Sequence, residues 1–344
     1  MSHSKLEKGA KYQNKNKFGK FKYSILFILF EIVFTITTLV FIVLYGPFIN
    51  VKKTVVGALM TSGRHQYVAR WFLSDADINK LTNTDLAHQK LGESTEKINV
   101  NEINVEHKND TNIERYDVDG KKFKGYMLVI HDPTRVKVGY TKNLGKEGQC
   151  TSVIAQENNA IAAINGGGFS DESTSGNSKY TGTGGKPIGI LMSKGKIISN
   201  NSGDLSQKVP TLGIDANGKL LVGNYSIQDL EANNVTDAIS FGPVLVLNGN
   251  PQVITEEGGI APRTAVGQRK DGAMLLLVID GRQLKSAGAT YEDVRTAMLQ
   301  YGAVNAINLD GGSSTTMYYN GDVINNPCDA VGERYVPSVV YVEN

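Results

Sequence analysis

The rhythm of apolar positions changes three times along the chain. From Ile25 to Leu44 they run almost unbroken, twenty residues in which Glu31 is the single charge. At about 1.5 Å per residue, a helix of that length matches a bilayer core of roughly 30 Å. From residue 50 to 90 the spacing is helical instead: Val55, Val56, Leu59 and Met60, then Val68, Trp71 and Phe72, then Ile78 and Leu81. Ser74 is placed to cap the short turn Asp75–Leu81. Between Gly92 and Arg115 large apolar residues become sparse, which predicts a solvated linker.

From Tyr116 the pattern becomes short apolar runs punctuated by turn residues. Tyr126–Ile130 and Val136–Tyr140 flank a turn containing Asp132 and Pro133. Five hairpins are predicted around Ser193-Lys194-Gly195, Asn217-Gly218, Asn248-Gly249, Asp271-Gly272 and Asn320-Gly321. Their strands are Ile188–Met192 with Lys196–Ser199, Thr211–Ile214 with Lys219–Val222, Val244–Leu247 with Gln252–Ile254, Thr264–Gln268 with Ala273–Asp280, and Thr316–Tyr319 with Val323–Asn325. Cys150–Asn159 reads as a short helix and Ser338–Val342 as a last strand. The best helix is Tyr291–Tyr301, capped by Thr290, with Glu292 and Asp293 in its first turn, a stripe of Val294, Ala297, Met298 and Tyr301, and Gly302 as its stop. Strands outnumber helices and many neighbours are hairpins. The fold class is therefore α+β, a mixed, largely antiparallel sheet domain preceded by an N-terminal transmembrane helix.

Charge sharpens the reading of the N-terminus. Lys5, Lys8, Lys11, Lys15, Lys17, Lys20 and Lys22 precede the apolar run, so residues 1–45 carry +5 and the remainder of this +2 chain carries −3. Lysines ahead of a span place that end in the cytoplasm. The run exceeds the ~7–15 apolar residues of a cleaved signal, and Tyr45-Gly46-Pro47-Phe48 offers no small-residue cleavage site. The expected organisation is a basic cytoplasmic tail (1–23), a single-pass anchor in the cell membrane (24–45), a helical stalk and polar linker (46–115) and an extracellular domain (116–344). That domain lacks the basic stripe of a nucleic-acid binder. Its two cysteines, Cys150 and Cys328, fit no zinc or iron–sulfur spacing, and a disulfide and two thiols remain equally open.

The candidate chemistry lies where apolar runs end in glycines. Ala303–Leu309 leads into Asp310-Gly311-Gly312-Ser313-Ser314, and Ala160–Ile164 into Asn165-Gly166-Gly167-Gly168. Such tips let a backbone approach a ligand closely. Leu275–Ile279 ends in Asp280-Gly281-Arg282, and Arg263 follows Pro262 between the two tips. A carboxylate at such a place can serve as acid, base or cation ligand, and an arginine suits a bidentate grip on phosphate. Each residue also has a plain structural reading, as a turn acid or a strand-edge ion pair. Only His131 of the five histidines falls within the domain, which argues against a histidine-rich zinc site or a Ser-His-Asp triad. Gly182-Thr183-Gly184-Gly185-Lys186-Pro187 lacks the Walker spacing and reads as a flexible loop at the mouth of the site.

Taken in order, Asn165-Gly166-Gly167, Pro187-Ile188-Gly189, Ser240-Phe241-Gly242-Pro243, Ala261–Gly267, Asp280-Gly281-Arg282 and Asn308–Ser314 resemble the phosphodiester glycosidase family. The resemblance covers roughly residues 116–344 and lacks the dense cysteine framework of the family's animal members. Its basic N-terminus with an anchor is similar to bacterial members described as exopolysaccharide proteins. It implies a hydrolase acting on a sugar joined to phosphate through its anomeric carbon, in cell-envelope or exopolysaccharide polymers. Under it, Asp310, Asp280 and Arg263 are the catalytic candidates. Asn165, Gly166, Gly167, Arg282, Asn308, Gly311, Gly312, Ser313 and Ser314 would bind a carbohydrate or glycosyl-phosphate substrate. No cofactor is required, a metal and a divalent cation being left open. Two other outcomes keep the same residues: a non-catalytic polysaccharide-binding protein, and a phosphodiesterase that cuts P–O.

Overall fold

A computed structural model describes residues 3–48, 51–52, 55–56, 59, 66–82, 98–170, 184–254, 258–329 and 332–344. By contact the chain divides into Met1–Lys52 and Lys53–Asn344. The first unit is the helix α1 (His3–Tyr45), whose stretch Tyr23–Tyr45 is long and apolar enough to cross a membrane.

The second unit begins with two short helices, α2 (Gln66–Phe72) and α3 (Asp75–Thr82). Ser74 does cap α3, its Oγ accepting the Asp77 amide at 3.1 Å. Met60, His65 and His88 lie outside the described residues. Nineteen described strands then follow, interrupted by three helices. In chain order they are β1 (Ile113–Asp119), β2 (Lys124–Ile130), β3 (Val136–Tyr140), α4 (Thr151–Glu157), β4 (Ala160–Asn165), β5 (Phe169–Ser170), β6 (Lys186–Pro187), β7 (Ile190–Ser193), β8 (Lys196–Asn200), β9 (Val209–Asp215), β10 (Leu220–Tyr225), α5 (Ile227–Ala232), β11 (Val235–Ser240), β12 (Val244–Leu247), β13 (Asn250–Pro251), β14 (Arg263–Arg269), β15 (Met274–Ile279), α6 (Tyr291–Gln300), β16 (Ala303–Leu309), β17 (Met317–Tyr319), β18 (Asp322–Val323) and β19 (Ser338–Glu343).

Three sheets carry the domain: a seven-stranded one ordered β1-β2-β15-β14-β16-β12-β13, and five-stranded ones ordered β10-β9-β11-β7-β8 and β18-β17-β4-β19-β3. Every named strand pairing among the described residues is antiparallel, as the α+β expectation required. The inner faces meet in one core that includes Leu128 and Ile307 from the first sheet, Leu212 and Ile239 from the second, and Ile164 and Val340 from the third. Each outer face takes one helix: α6 through Val294 and Met298, α5 through Ile227 and Leu230, α4 through Ile154 and Ala155. Burial on both faces explains why Met274–Ile279 reads as an uninterrupted apolar run rather than an alternating one. α6 starts at a capping box in which Thr290 accepts the Asp293 amide and the Asp293 side chain accepts the Thr290 amide.

Three sequence expectations meet corrections. The Asn248-Gly249 turn forms, but its second strand is only Asn250–Pro251, and Gln252–Ile254 is irregular. The turn expected at Asp132-Pro133 does form, as a 3-10 turn over Pro133–Arg135, and β3 then joins a different sheet from β2. Residues 98–115 are no loose tether: Ile103 is buried, Ile98 and Ile113 pack on the core, and the Asn104 and Glu106 amides donate to the Lys270 and Asp271 carbonyls. Isolated isoleucines in polar surroundings gave too weak a periodic signal to reveal that docking. Gly182 and Thr183 lie outside the described residues, but Gly184 and Gly185 are packed. A Cβ on them would meet the Tyr335 carbonyl oxygen at 2.1 Å and the Glu147 nitrogen at 2.3 Å.

Candidate active site

The antiparallel order β15-β14-β16 puts one end of β14 beside the opposite ends of its neighbours. Arg263 pairs with Ile279 and Thr264 with Leu309, so Arg263, Asp280 and Asp310 emerge at one edge of the sheet. The glycine tip after β4 joins them from another sheet. Asp310 donates its amide to the Gly166 carbonyl at 3.1 Å, and Asn165 Nδ2 donates to the Asp310 carbonyl at 2.5 Å. Asn165 Oδ1 in turn accepts from the Thr264 hydroxyl at 2.7 Å and the Thr316 amide at 3.2 Å. One fully buried asparagine thus ties three segments together, and the convergence expected of the two tips and the Arg263 stretch is present.

The glycines earn their positions by chain packing. A Cβ on Gly166 would lie 2.5 Å from Ser338 Oγ, one on Gly167 2.3 Å from Ile239 Cγ2, and one on Gly311 2.6 Å from the Pro262 carbonyl oxygen. These are contacts that real side chains do not make, so the tips can close on one another only as glycine. Past them Gly312–Ser314 makes a 3-10 turn, entered through Gly312 at φ +62° and fastened by its amide to the Pro262 carbonyl at 2.9 Å. Ser313 and Ser314 are buried in that turn. Asn308, also buried, donates Nδ2 to the Gly242 and Leu309 carbonyls at 3.0 and 2.7 Å.

The charged candidates separate into two kinds. Arg263 does not offer the open fork expected of it. It is buried, stacked 4.0 Å over the Tyr291 ring, with Nε on the Ala289 carbonyl and Nη2 on those of Gly258 and Gly259. Asp280 is 5% exposed and accepts from Asn325 Nδ2 at 2.9 Å and the Asn326 amide at 3.1 Å. Burial pushes its carboxyl above the ordinary range, and those two donors pull against the rise. Asn325 also receives the Met317 amide on Oδ1 and donates to the Thr315 carbonyl. Asp280 therefore secures the chain beyond β18.

Arg282, Cys328 and Arg334 gather around Asp310 and the 3-10 turn. Arg282, at φ +59°, points Nη1 at Cys328 Sγ, 3.9 Å away, and feels the charge of Asp310. Burial lowers the guanidinium's affinity for its proton. The Cys328 thiol lies 3.6 Å from the Gly312 carbonyl; burial pushes it up and Arg282 pulls it back. Arg334 donates Nη1 to Ser313 Oγ at 3.1 Å and lies over the Phe169 ring. Cys150 and Cys328 are both free thiols, Cys150 facing the Glu333 carbonyl instead. Three buried polar atoms of the tip have no hydrogen-bond partner among the described residues: Asn308 Oδ1, Thr315 Oγ1 and Thr316 Oγ1. Unsatisfied groups of this kind, collected at one place, suit a ligand or water.

Sequence reading missed Arg334, Asn325 and the thiol's place at this site. Arg334 and Cys328 come from an irregular segment with no periodic pattern, and Asn325 was read only as the end of a strand. Asp310 and Arg282 beside a turn rich in hydroxyls can hold an anionic group and stabilise positive charge next to it.

Comparison with known proteins bears on this arrangement. A profile of the phosphodiester glycosidase family matches residues 158–343. The N-acetylglucosamine-1-phosphodiester alpha-N-acetylglucosaminidase of Mus musculus is 28% identical over 236 residues, which take in 61% of this chain and 43% of that protein. The Bos taurus protein of the same description is 30% identical over 194 residues, 51% of this chain and 34% of its own. The chain thus spans less than half the length of these curated relatives. The solved catalytic domain of the zebrafish counterpart, auto-inhibited by its pro-peptide, superposes with a TM-score of 0.56 at 26% identity, over 70% of this chain and 87% of that one.

Proposed function

The chain belongs to the phosphodiester glycosidase family, and from that premise we propose that it hydrolyses glycosyl phosphodiesters at the outer face of a membrane. The substrate is a sugar whose anomeric carbon carries a phosphodiester. N-acetylglucosamine 1-phosphodiesters, named for the mouse and bovine relatives, are the first compounds to try, and envelope or exopolysaccharide polymers are the natural setting. The stretch Tyr23–Tyr45 anchors the chain with its lysine-rich end in the cytoplasm.

In this reading water attacks the anomeric carbon, the carbon–oxygen bond breaks, and the phosphate leaves with the bonding pair and takes up the proton that the water gives up. A phosphate leaving group is already anionic, so a strong general acid is less necessary than in ordinary glycoside hydrolysis. Positive charge that develops on the sugar is stabilised by the Asp310 carboxylate, while Arg282, Arg334 and the Ser313 hydroxyl hold the phosphate. Asn165 and Asp280 act as positioning residues, one on the Asp310 backbone and the other on the Asn325 segment, and Arg263 secures the wall behind them. What supports the reading most is one juxtaposition: Asp310 within electrostatic reach of Arg282, on a tip bound through Asn165 and Gly166 to a second sheet.

The test is turnover of glycosyl-phosphate diesters by the purified full chain in detergent, with Asp310→Asn alongside. Release of free sugar by the wild type and its loss in a folded Asp310→Asn protein is the expected result. No turnover of any such diester by a well-folded wild type would overturn the assignment.

A further inference from the structure

The polar stretch before β1 folds back over the far end of the seven-stranded sheet, away from Asp310. β2 pairs Gly125 with Ile279, next to Asp280, and Ile130 with Met274, next to the turn at Asp271-Gly272. The six strand residues Gly125–Ile130 therefore separate the two places, about 17 Å at ~3.3 Å per residue. At this far end stand His107, Asp110 and His131, with one donor atom from each lying within 4.8 Å of the others.

Glu114 fixes the orientation of the His131 ring. Its carboxylate Oε1 lies 2.7 Å from His131 Nε2. A carboxylate accepts and does not donate, so Nε2 carries a proton, and the ring offers a metal its Nδ1. That Nδ1 is closed to solvent and has no hydrogen-bond partner among the described residues. A buried ring nitrogen left without a partner is costly, and a cation would relieve it. His107 meets His131 edge to face, with ring centroids 5.5 Å apart.

The loop that carries the other two donors is itself fastened. Asn109 sits at φ +72° with its amide on Asp132 Oδ2 at 2.8 Å, and the Asp110 amide closes on the His107 carbonyl at 3.1 Å. Arg135 donates Nη1 to the Thr111 carbonyl at 3.0 Å, just past Asp110. A carboxylate that orients a histidine through the nitrogen not facing the metal is the usual outer shell of such sites.

We propose that His107, Asp110 and His131 Nδ1 bind one divalent transition-metal ion of the zinc class, with Glu114 as the carboxylate that orients His131. Two imidazoles and one carboxylate suit zinc better than magnesium or calcium, which prefer all-oxygen shells. Donors about 2 Å from a tetrahedral ion stand roughly 3.4 Å apart, so the cluster closes slightly on binding. His107 is exposed and able to swing in. With three protein ligands the ion keeps a water, and its position ties residues 98–112 to the sheet, remote from the hydrolytic site. The histidine count had argued against such a site only because His107 was assigned to a linker.

The experiment is calorimetric titration of metal-stripped, untagged full chain in detergent with Zn²⁺, and with Mg²⁺ and Ca²⁺ in parallel. Visible absorption of bound Co²⁺ reports tetrahedral coordination. The expected result is one equivalent of zinc, abolished in His107→Ala/His131→Ala, with glycosyl-phosphodiester turnover unchanged. Glu114→Gln should weaken zinc binding by roughly 10–100-fold while leaving the stoichiometry at one. His107→Ala alone changes an exposed residue and keeps the test clear of misfolding, and it should also remove the tetrahedral Co²⁺ spectrum. Equal zinc binding by the wild type and His107→Ala, or no saturable binding by the wild type, would overturn the proposal.

Discussion

Asp-Gly closes four strands of the seven-stranded sheet, and the four copies fall into two settings. Asp119-Gly120 and Asp271-Gly272 are hairpin turns closed by their own neighbours, the Asp271 carbonyl also taking the Glu106 amide. The Gly120 amide donates to the Phe123 carbonyl, and Asp271 accepts from Arg269 Nη2 at 2.6 Å and the Ala273 amide at 3.1 Å. Asp280-Gly281 and Asp310-Gly311 reach much farther. Asp280 is held by residues 45 and 46 positions away, and the Asp310 backbone by Asn165, 145 positions away. At Asp271 the carboxylate closes its own turn. At Asp280 the carboxylate, and at Asp310 the backbone, are tied to distant chain. Sequence cannot separate the two, because the distinguishing partners lie in other sheets.

The sharpest break of that comparison is at Asp310. Asp310→Asn should lower kcat by roughly 10²–10⁴-fold, the usual range for a catalytic carboxyl, with Tm nearly unchanged. Wild-type kinetics in the folded variant would place Asp310 with Asp271. Arg263→Lys comes next and acts on stability. It strips the Ala289, Gly258 and Gly259 carbonyls of a shared donor and removes the stack on Tyr291. A loss of about 2–3 kcal/mol in denaturant unfolding is expected. A variant of unchanged stability that fails only in KM would restore Arg263 to the phosphate.

Asp280 gives a smaller, pH-dependent effect. Burial raises its carboxyl's proton affinity, so its contribution to stability is complete below the ordinary aspartate range and is lost as pH rises through the raised value. The stability gap between wild type and Asp280→Asn should therefore move in the wild type's favour as pH falls from about 7 to about 4. A flat gap in unfolding curves across that range would count Asp280 among the exposed turn acids. Smallest of all is Asp271→Asn, expected to cost about 1 kcal/mol or less and to leave turnover alone.

Much of the fold was legible because its signals are local. All five hairpin turns lie where their Gly-containing pairs stand, and α6 begins at its capping box with Asp293. The strands ending at Asn165, Asp280 and Asp310 were visible as apolar runs stopped by glycine, and their meeting was inferred from that shared grammar. What stayed hidden depends on long-range packing. Nothing near Arg334 or Asn325 announces that they reach Ser313 and Asp280, and the bonds that occupy Arg263 come from chain 4, 5 and 26 residues away. The same holds for Ile98 and Ile103, isolated apolar residues whose docking turned an expected linker into part of the domain.

The central claim is that the bond broken joins the sugar to oxygen, with charge developing at the anomeric carbon beside Asp310. Its most direct test is hydrolysis of an N-acetylglucosaminyl phosphodiester by the purified full chain in isotope-labelled water, read by mass spectrometry of both products. The account predicts label in the sugar hydroxyl and none in the phosphate. Label in the phosphate would mean that phosphorus is attacked instead, and would contradict it.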